Sequence, residues 1–134
     1  MKKLLILGLV AIGMSSCSKE TLDSAGRDVA QNIIRSYKWT DVVRVVKVTG
    51  KEEVRDTLVS KKTENSYLEF KKDGYAYIYK DGQSTSATYD MPTSRSMNYG
   101  GIPYIIKENI IQTTLKFTLE NVTEATTTTI EFKR

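Results

Sequence analysis

From Ser66 to Tyr89 the chain alternates apolar or aromatic with polar positions, in the two-residue period of strands half buried against a core. Leu68 and Phe70 oppose Tyr67, Glu69 and Lys71, while Tyr75, Tyr77 and Tyr79 share one face and Ala76 and Ile78 the other. Asp73-Gly74 and Asp81-Gly82 punctuate the pattern, and glycine enters the left-handed backbone of a tight hairpin without the clash that a Cβ would cause. The stretch predicts three consecutive antiparallel strands, over 66–71, 75–80 and 84–89.

The same reading extends in both directions. Trp39 to Val48 is rich in valine, with Val42, Val46 and Val48 on one face and Val43 and Val45 on the other, which predicts a strand covered in part on both sides. A turn at Thr49-Gly50-Lys51-Glu52 leads to a second strand over 54–60. Beyond Tyr89, the run from Met91 to Gly101 is dense in turn formers and predicts the longest loop of the chain, a candidate pocket rim with Met97, Tyr99, Ile102 and Tyr104. Strand character resumes over 102–107, where Pro103 fits only a strand start or an edge. Leu115, Phe117 and Leu119 alternate next, and after a turn at 121–124 Thr126, Thr128, Ile130 and Phe132 form a last alternating face.

Ahead of the strands, Ala25, Val29, Ala30, Ile33, Ile34 and Tyr37 recur at helical spacing. They predict a helix over 24–37, with Ser24 as its N-cap and an apolar face that needs the end or side of the strand body as a partner. The fold expected is therefore mainly β: about eight antiparallel strands in a meander that closes into a barrel, with one short N-terminal helix. Closure removes the exposed edges of such a sheet, and a two-sheet sandwich is the alternative.

Residues 1–16 carry a different message. Met1-Lys2-Lys3 precedes an apolar run of 11 residues, Leu4 to Met14, too short to span a bilayer and suited to a signal peptide. Its end, Met14-Ser15-Ser16-Cys17, resembles the lipobox of bacterial lipoproteins, which implies acylation of the Cys17 sulfur and cleavage before it. Each buried methylene contributes about 0.8 kcal/mol, so several acyl chains anchor a protein stably where one does not. The expected organisation is a signal peptide over 1–16, a tether over 17–23 and a single domain over 24–134. Ser18 follows Cys17 where many lipoproteins retained at the inner membrane carry Asp, so the expected location is the outer membrane, facing the periplasm or the surface.

Composition narrows the chemistry. The formal charge of the 134-residue chain is +4, but Lys2 and Lys3 belong to the leader, and the remainder holds 18 basic against 16 acidic side chains. Doublets such as Lys61-Lys62 and Lys71-Lys72 are interspersed with acids, without the basic stripe of a nucleic-acid binder. There is no histidine and a single cysteine, Cys17. Imidazole bases, Ser-His-acid and Cys-His nucleophiles, Cys/His zinc sites and an internal disulfide are all excluded. Carboxylates such as Asp41, Glu52, Glu53, Asp56 and Glu69 show no spacing that indicates a catalytic pair, and both Asp-Gly pairs are accounted for as turns. A non-catalytic protein without metal or cofactor is expected.

Trp39 at the start of the first strand, followed by Leu68-Glu69-Phe70-Lys71-Lys72-Asp73-Gly74-Tyr75, resembles the lipocalin-like domains of small bacterial lipoproteins, in which a Trp opens the barrel and a Phe-x-x-Asp-Gly-aromatic element forms an early hairpin. The resemblance implies a calyx able to hold a small apolar or amphipathic ligand. Trp39, Tyr75, Tyr77, Tyr79, Tyr99 and Tyr104 are the candidate ligand contacts, and Cys17 is the membrane attachment. Two functions stay open: a binding module with a hollow barrel, and an envelope interaction protein whose filled barrel meets another protein through exposed aromatics. For the tyrosines the competing reading is cross-strand packing with Tyr67 and Tyr89; for Trp39 it is a core plug.

Overall fold

The structure is a computed structural model that describes residues 26–111 and 115–134. The leader, Cys17, the tether and the proposed cap Ser24 lie outside the described residues, as does Ala25.

Among the described residues, 26–36 form a helix, α1, and nine strands follow: β1 (Asp41–Val48), β2 (Val54–Val59), β3 (Tyr67–Phe70), β4 (Tyr75–Lys80), β5 (Gln83–Thr93), β6 (Ser96–Tyr99), β7 (Ile102–Ile106), β8 (Lys116–Val122) and β9 (Thr126–Lys133). All pair antiparallel in the spatial order β2-β1-β9-β8-β7-β6-β5-β4-β3. From β3 to β9 this is a meander, and β1 then returns beside β9 over its whole length, from Asp41 opposite Lys133 to Val48 opposite Thr126.

The sheet curls until β3, at one end of the order, meets the residues that lead into β1 near the other end, and one bridge joins them. Trp39 N–H donates to the Leu68 carbonyl and Leu68 N–H to the Trp39 carbonyl, each at 2.8 Å. Along the rest of the seam β2 approaches β4 with no ladder between them among the described residues. The result is a nearly closed barrel, locked at the end where the chain enters it and split at the other.

The locked end is filled. Trp39, Phe70, Phe117 and Phe132 are all at most 1% exposed. Trp39 meets Phe117 edge-on at 4.9 Å between ring centroids, and Phe117 stacks on Phe132 at 4.4 Å. Phe70 reaches Phe132 at 5.6 Å and Tyr89 at 4.9 Å. Leu68, Met97, Leu119 and Ile130 complete the layer. Helix α1 covers it with Ala30 and Ile34, both fully buried, while Ile33 and Tyr37 pack at the margin. The indole N–H of Trp39 donates to the Ile34 carbonyl at 3.1 Å, so the helix C-terminus and the first strand share one buried hydrogen bond. Arg35 Nε donates to the Tyr89 hydroxyl at 2.8 Å, and that hydroxyl in turn donates to the Lys71 carbonyl.

Several expectations are corrected. Val29 is 45% exposed and not part of the buried helix stripe. Consecutive helical residues lie about 100° apart, so a stripe centred on Ala30 and Ile34 turns Val29 toward water. The stretch from Met91 to Gly101 is not a long loop: β5 continues to Thr93, a tight turn follows, and β6 pairs with both β5 and β7, which brings the strand count to nine. Met91 and Met97 supply its buried positions, and Pro92 lies where the β5–β6 register is broken between Asp90 and Thr93, a place where a missing N–H is tolerated. Pro103, by contrast, fits its expected place at a strand start: it is the second residue of β7. Its side toward β8 has no donor, the β7–β8 ladder begins only at Ile105 and Glu120, and the Asn121 side-chain amide donates to the Pro103 carbonyl at 2.8 Å across the gap. Leu115, placed with Phe117 and Leu119 by alternation, is 67% exposed and stands before the strand.

Candidate functional site

The tyrosines of β4 are placed by β4's own alternation. Ala76, nearly fully buried, and half-buried Ile78 point into the barrel, so Tyr75, Tyr77 and Tyr79 point out. They do not line a calyx. Across β4 they oppose Thr88, Ser86 and Ser84 of β5 on one side, and on the other Tyr77 opposes Glu69 and Tyr79 opposes Tyr67. Tyr89 lies on the inner face against Phe70, so it is no partner of this row.

The outer rings form a continuous ladder. Centroids lie 6.3 Å apart from Tyr75 to Tyr77 and from Tyr77 to Tyr79, and 4.8 Å apart from Tyr79 to Tyr67. Cations order it from the side: Lys71 Nζ is 4.8 Å from the Tyr77 centroid and 5.6 Å from that of Tyr79, and Lys38 Nζ stands 4.5 Å over Tyr67. The Tyr77 hydroxyl donates to the Asp73 carboxylate. That bond holds Asp73 below the usual carboxylate range and Tyr77 above the usual phenol range. Interaction with the Tyr79 hydroxyl likewise raises Lys71. Tyr75, at 42% exposure, is the most open ring of the row.

The remaining candidates lie inside the barrel. Trp39 is 1% exposed and packed on all sides by the rings described above. Tyr104 is buried, and Tyr99 leans on Phe70 and Phe132 at 6.4 and 6.1 Å. Burial pushes the Tyr99 hydroxyl up to about 12, with nearby Tyr104 adding to the rise and Arg44 opposing it. Tyr104 is raised by burial too. These two are wall residues of the barrel rather than the rim of a loop.

At the split end the interior turns polar. Arg44, on the inner face of β1, pairs with Asp56 of β2 at 3.0 Å, and both remain about half exposed, 47% and 53%. Between β2 and the β4–β5 hairpin lies a cavity of about 380 Å3, with Leu58 and Ile78 as its apolar part and Asp56, Lys80, Asp81 and Thr85 around it. Sequence reasoning had no signal for this cavity, because it depends on where the sheet fails to close. The carboxylates singled out as acid–base candidates are dispersed: Asp56 sits beside Arg44, Glu53 beside Arg55 at 3.1 Å and Glu69 beside Lys71 at 3.7 Å. Among the described residues no cluster of acidic side chains has the arrangement of a metal site. No family model, curated protein or solved structure matches the chain.

Proposed function

We infer that the protein is a non-catalytic, lipid-anchored recognition module of a bacterial envelope, attached through Cys17 and meeting another envelope protein through the tyrosine ladder of β3 and β4. The observation that carries this reading is the division of aromatic side chains. The rings of the locked end fill the interior, whereas Tyr67, Tyr75, Tyr77 and Tyr79 stand together on the outside, already ordered by Lys38, Lys71 and Asp73. Tyrosine suits such a surface because it offers a large contact area with few rotatable bonds and a polar tip, and rings ordered before contact lose little entropy on binding. The lipobox-like residues before Cys17 and the nine-strand barrel both support a lipocalin-like lipoprotein.

The test is a photo-crosslinking residue placed at position 75 or 79 in cells, with position 116 as an exposed control. A discrete adduct at 75 and 79, absent at 116 and lost in Tyr77→Ser, is the expected result. Equal labelling at all three positions, or no effect of Tyr77→Ser, would sink the reading. Palmitate labelling that Cys17→Ser abolishes checks the anchor separately.

The seam cavity favours a second reading, in which a small amphipathic molecule lies against Leu58 and Ile78 with its polar groups toward Asp56, Lys80 and Asp81. Its volume falls in the range of small-ligand pockets. Native mass spectrometry of protein from its own host should then show a copurified compound, lost in Ile78→Trp.

A further inference from the structure

The barrel is charged differently at its two ends. At the split end the turns 49–53, 81–82 and 123–125 hold Lys51 against Glu52, Glu53, Asp81 and Glu124, and the turn at 100–101 is uncharged. At the locked end the turns 71–74 and 94–95 and the start of the β7–β8 connection hold Lys71, Lys72, Arg95 and Lys107 against Asp73 and Glu108. Helix α1 and the residues after it add Arg27, Arg35 and Lys38 against Asp28. Lys72 and Arg95 are exposed, and neither side chain has a hydrogen bond or ion pair among the described residues.

The basic end also exposes apolar side chains. Val29 on α1, and Ile111 and Leu115 in the connection before β8, are 45%, 49% and 67% exposed. On the barrel wall, by contrast, exposed Ile105 and Val122 flank the carboxylate of Glu120. Bases mixed with a few exposed apolar residues suit a surface that lies in the headgroup region of an anionic bilayer. The point where the chain leaves the fold is at the same end. Gly26 stands beside Ser94 of the β5–β6 turn, 3.9 Å from where a Cβ would lie. Nine peptide steps separate Gly26 from Cys17, a reach of at most about 32 Å when fully extended. The eight residues of β1 alone rise about 26 Å from the locked end to the split end. A lipid on Cys17 therefore keeps the locked end near the bilayer, since turning the split end toward it would use nearly the whole tether along the barrel wall.

We propose that the locked end is a membrane-contacting surface that rests on an anionic lipid bilayer, with Lys72 and Arg95 among the headgroups and Val29, Ile111 and Leu115 dipping beneath them. This rests on the Cys17 anchor proposed above and adds an orientation to it. A tether by itself leaves a barrel free to tumble. The bases act only once the end is close, because exposed charges are screened beyond about 8–10 Å, and the apolar side chains then hold the contact. The strands stand away from the bilayer in this arrangement, and the tyrosine row starts near it at Tyr75, just after the 71–74 turn, and climbs to Tyr79. A protein that covers the Tyr75 end has to reach headgroup level, while the seam cavity opens toward the aqueous side.

Cys17 is the chain's only cysteine, and with its sulfur occupied by lipid a single introduced cysteine can be labelled with an environment-sensitive dye. Val29→Cys and Leu115→Cys report on the locked end and Glu124→Cys on the split end. In vesicles of phosphatidylethanolamine and phosphatidylglycerol, the dyes at 29 and 115 should shift to the blue and be quenched by spin-labelled lipid, while the dye at 124 stays as in water. Lys72→Gln with Arg95→Gln should leave the melting temperature unchanged and lower the ratio of quenched to unquenched chains by about fivefold or more, the factor that one base near an anionic surface contributes. Vesicles of phosphatidylcholine alone should lower it likewise. Chains that fail to float with the vesicles would show that the anchor is missing, and the proposal falls with it. Chains that float but keep all three dyes in water, or quench all three alike, would overturn the proposal and leave the anchor standing. So would a blue shift that spin-labelled lipid does not quench, the signature of a second copy or another protein on this surface.

Discussion

Replacing Trp39 with alanine tests whether the locked end of the barrel is a packed plug. The side chain is 1% exposed and is the edge-on neighbour of Tyr37, Phe117 and Phe132, at 6.2, 4.9 and 6.5 Å. A buried tryptophan removes up to about 250 Å2 from water. At about 25 cal/mol per Å2 that is on the order of 6 kcal/mol. The Cβ that remains and partial collapse of the neighbours reduce the expected loss to about 3–5 kcal/mol. The backbone bridge to Leu68 survives the substitution, but the Ile34 carbonyl loses its indole donor.

Trp39→Phe separates the two contributions. It keeps a ring against Phe117 while removing the N–H, and should cost about 1–2 kcal/mol. Urea unfolding followed by far-ultraviolet circular dichroism is the suitable assay, because Trp39 is the chain's only tryptophan and its fluorescence disappears with it. With a urea slope of roughly 1.5 kcal/mol per M, a loss of about 4 kcal/mol lowers the midpoint by between about 2 and 3 M. If Trp39→Ala costs less than about 1 kcal/mol, the residue is not a core plug and the filled-barrel reasoning fails.

Three further outcomes follow from the same geometry. Tyr99, pushed up to about 12 by burial, keeps its proton in the folded state at pH values where the unfolded chain loses it near 10. Its contribution is therefore full below pH 10 and lost as pH rises from 10 to 12, by roughly 2–3 kcal/mol, and Tyr99→Phe should flatten that part of the stability–pH curve. Glu108→Ala should cost about 1–3 kcal/mol in urea unfolding, because the Glu108 carboxylate accepts from both the backbone N–H (2.6 Å) and the hydroxyl (2.8 Å) of buried Thr118. In hydrogen exchange, amides of Val54 to Thr57 in β2 should exchange far faster than those of Ile130 and Phe132 in β9, which is paired on both sides; equal protection would mean that the seam is closed in solution.

The hairpins from Ser66 to Tyr89 were legible because every signal there agrees. Leu68, Phe70, Ala76 and Ile78 are the apolar inward positions, and Asp81 (φ 54) with Gly82 (φ 76) takes the doubly left-handed turn that the dipeptide announces. The β5–β6–β7 region was not legible. Its inward positions, Met91, Met97, Tyr99 and Tyr104, are separated by turns and prolines, and the polar outward residues between them read as loop. Of the candidate site, the tyrosine row could be seen but not the direction it faces. That direction is set by Ala76, a small side chain turned toward the crowded rings near Phe70, which is a property of the closed barrel and not of β4 by itself. The seam cavity could not be read either, since it depends on which strands fail to pair.

The ladder can be divided into what folding explains and what it leaves over. Tyr79 sits directly across from Tyr67 with centroids 4.8 Å apart, and such an aromatic pair contributes to sheet stability on the order of 0.2–1 kcal/mol. Tyr77 opposes Glu69 and is tied to Asp73 and Lys71, contacts that also hold the β3–β4 hairpin in register. Tyr75 has neither role. It opposes Thr88, stands 42% exposed, and leaves its neighbour Tyr77 in no better hydrogen bond than Asp73 already provides. Aromatic residues favour strands in general, but threonine or valine at this position would serve that preference with far less exposed apolar surface. The excess over what the barrel needs is therefore concentrated at the Tyr75 end of the row, and that is where a partner has the most surface still to cover.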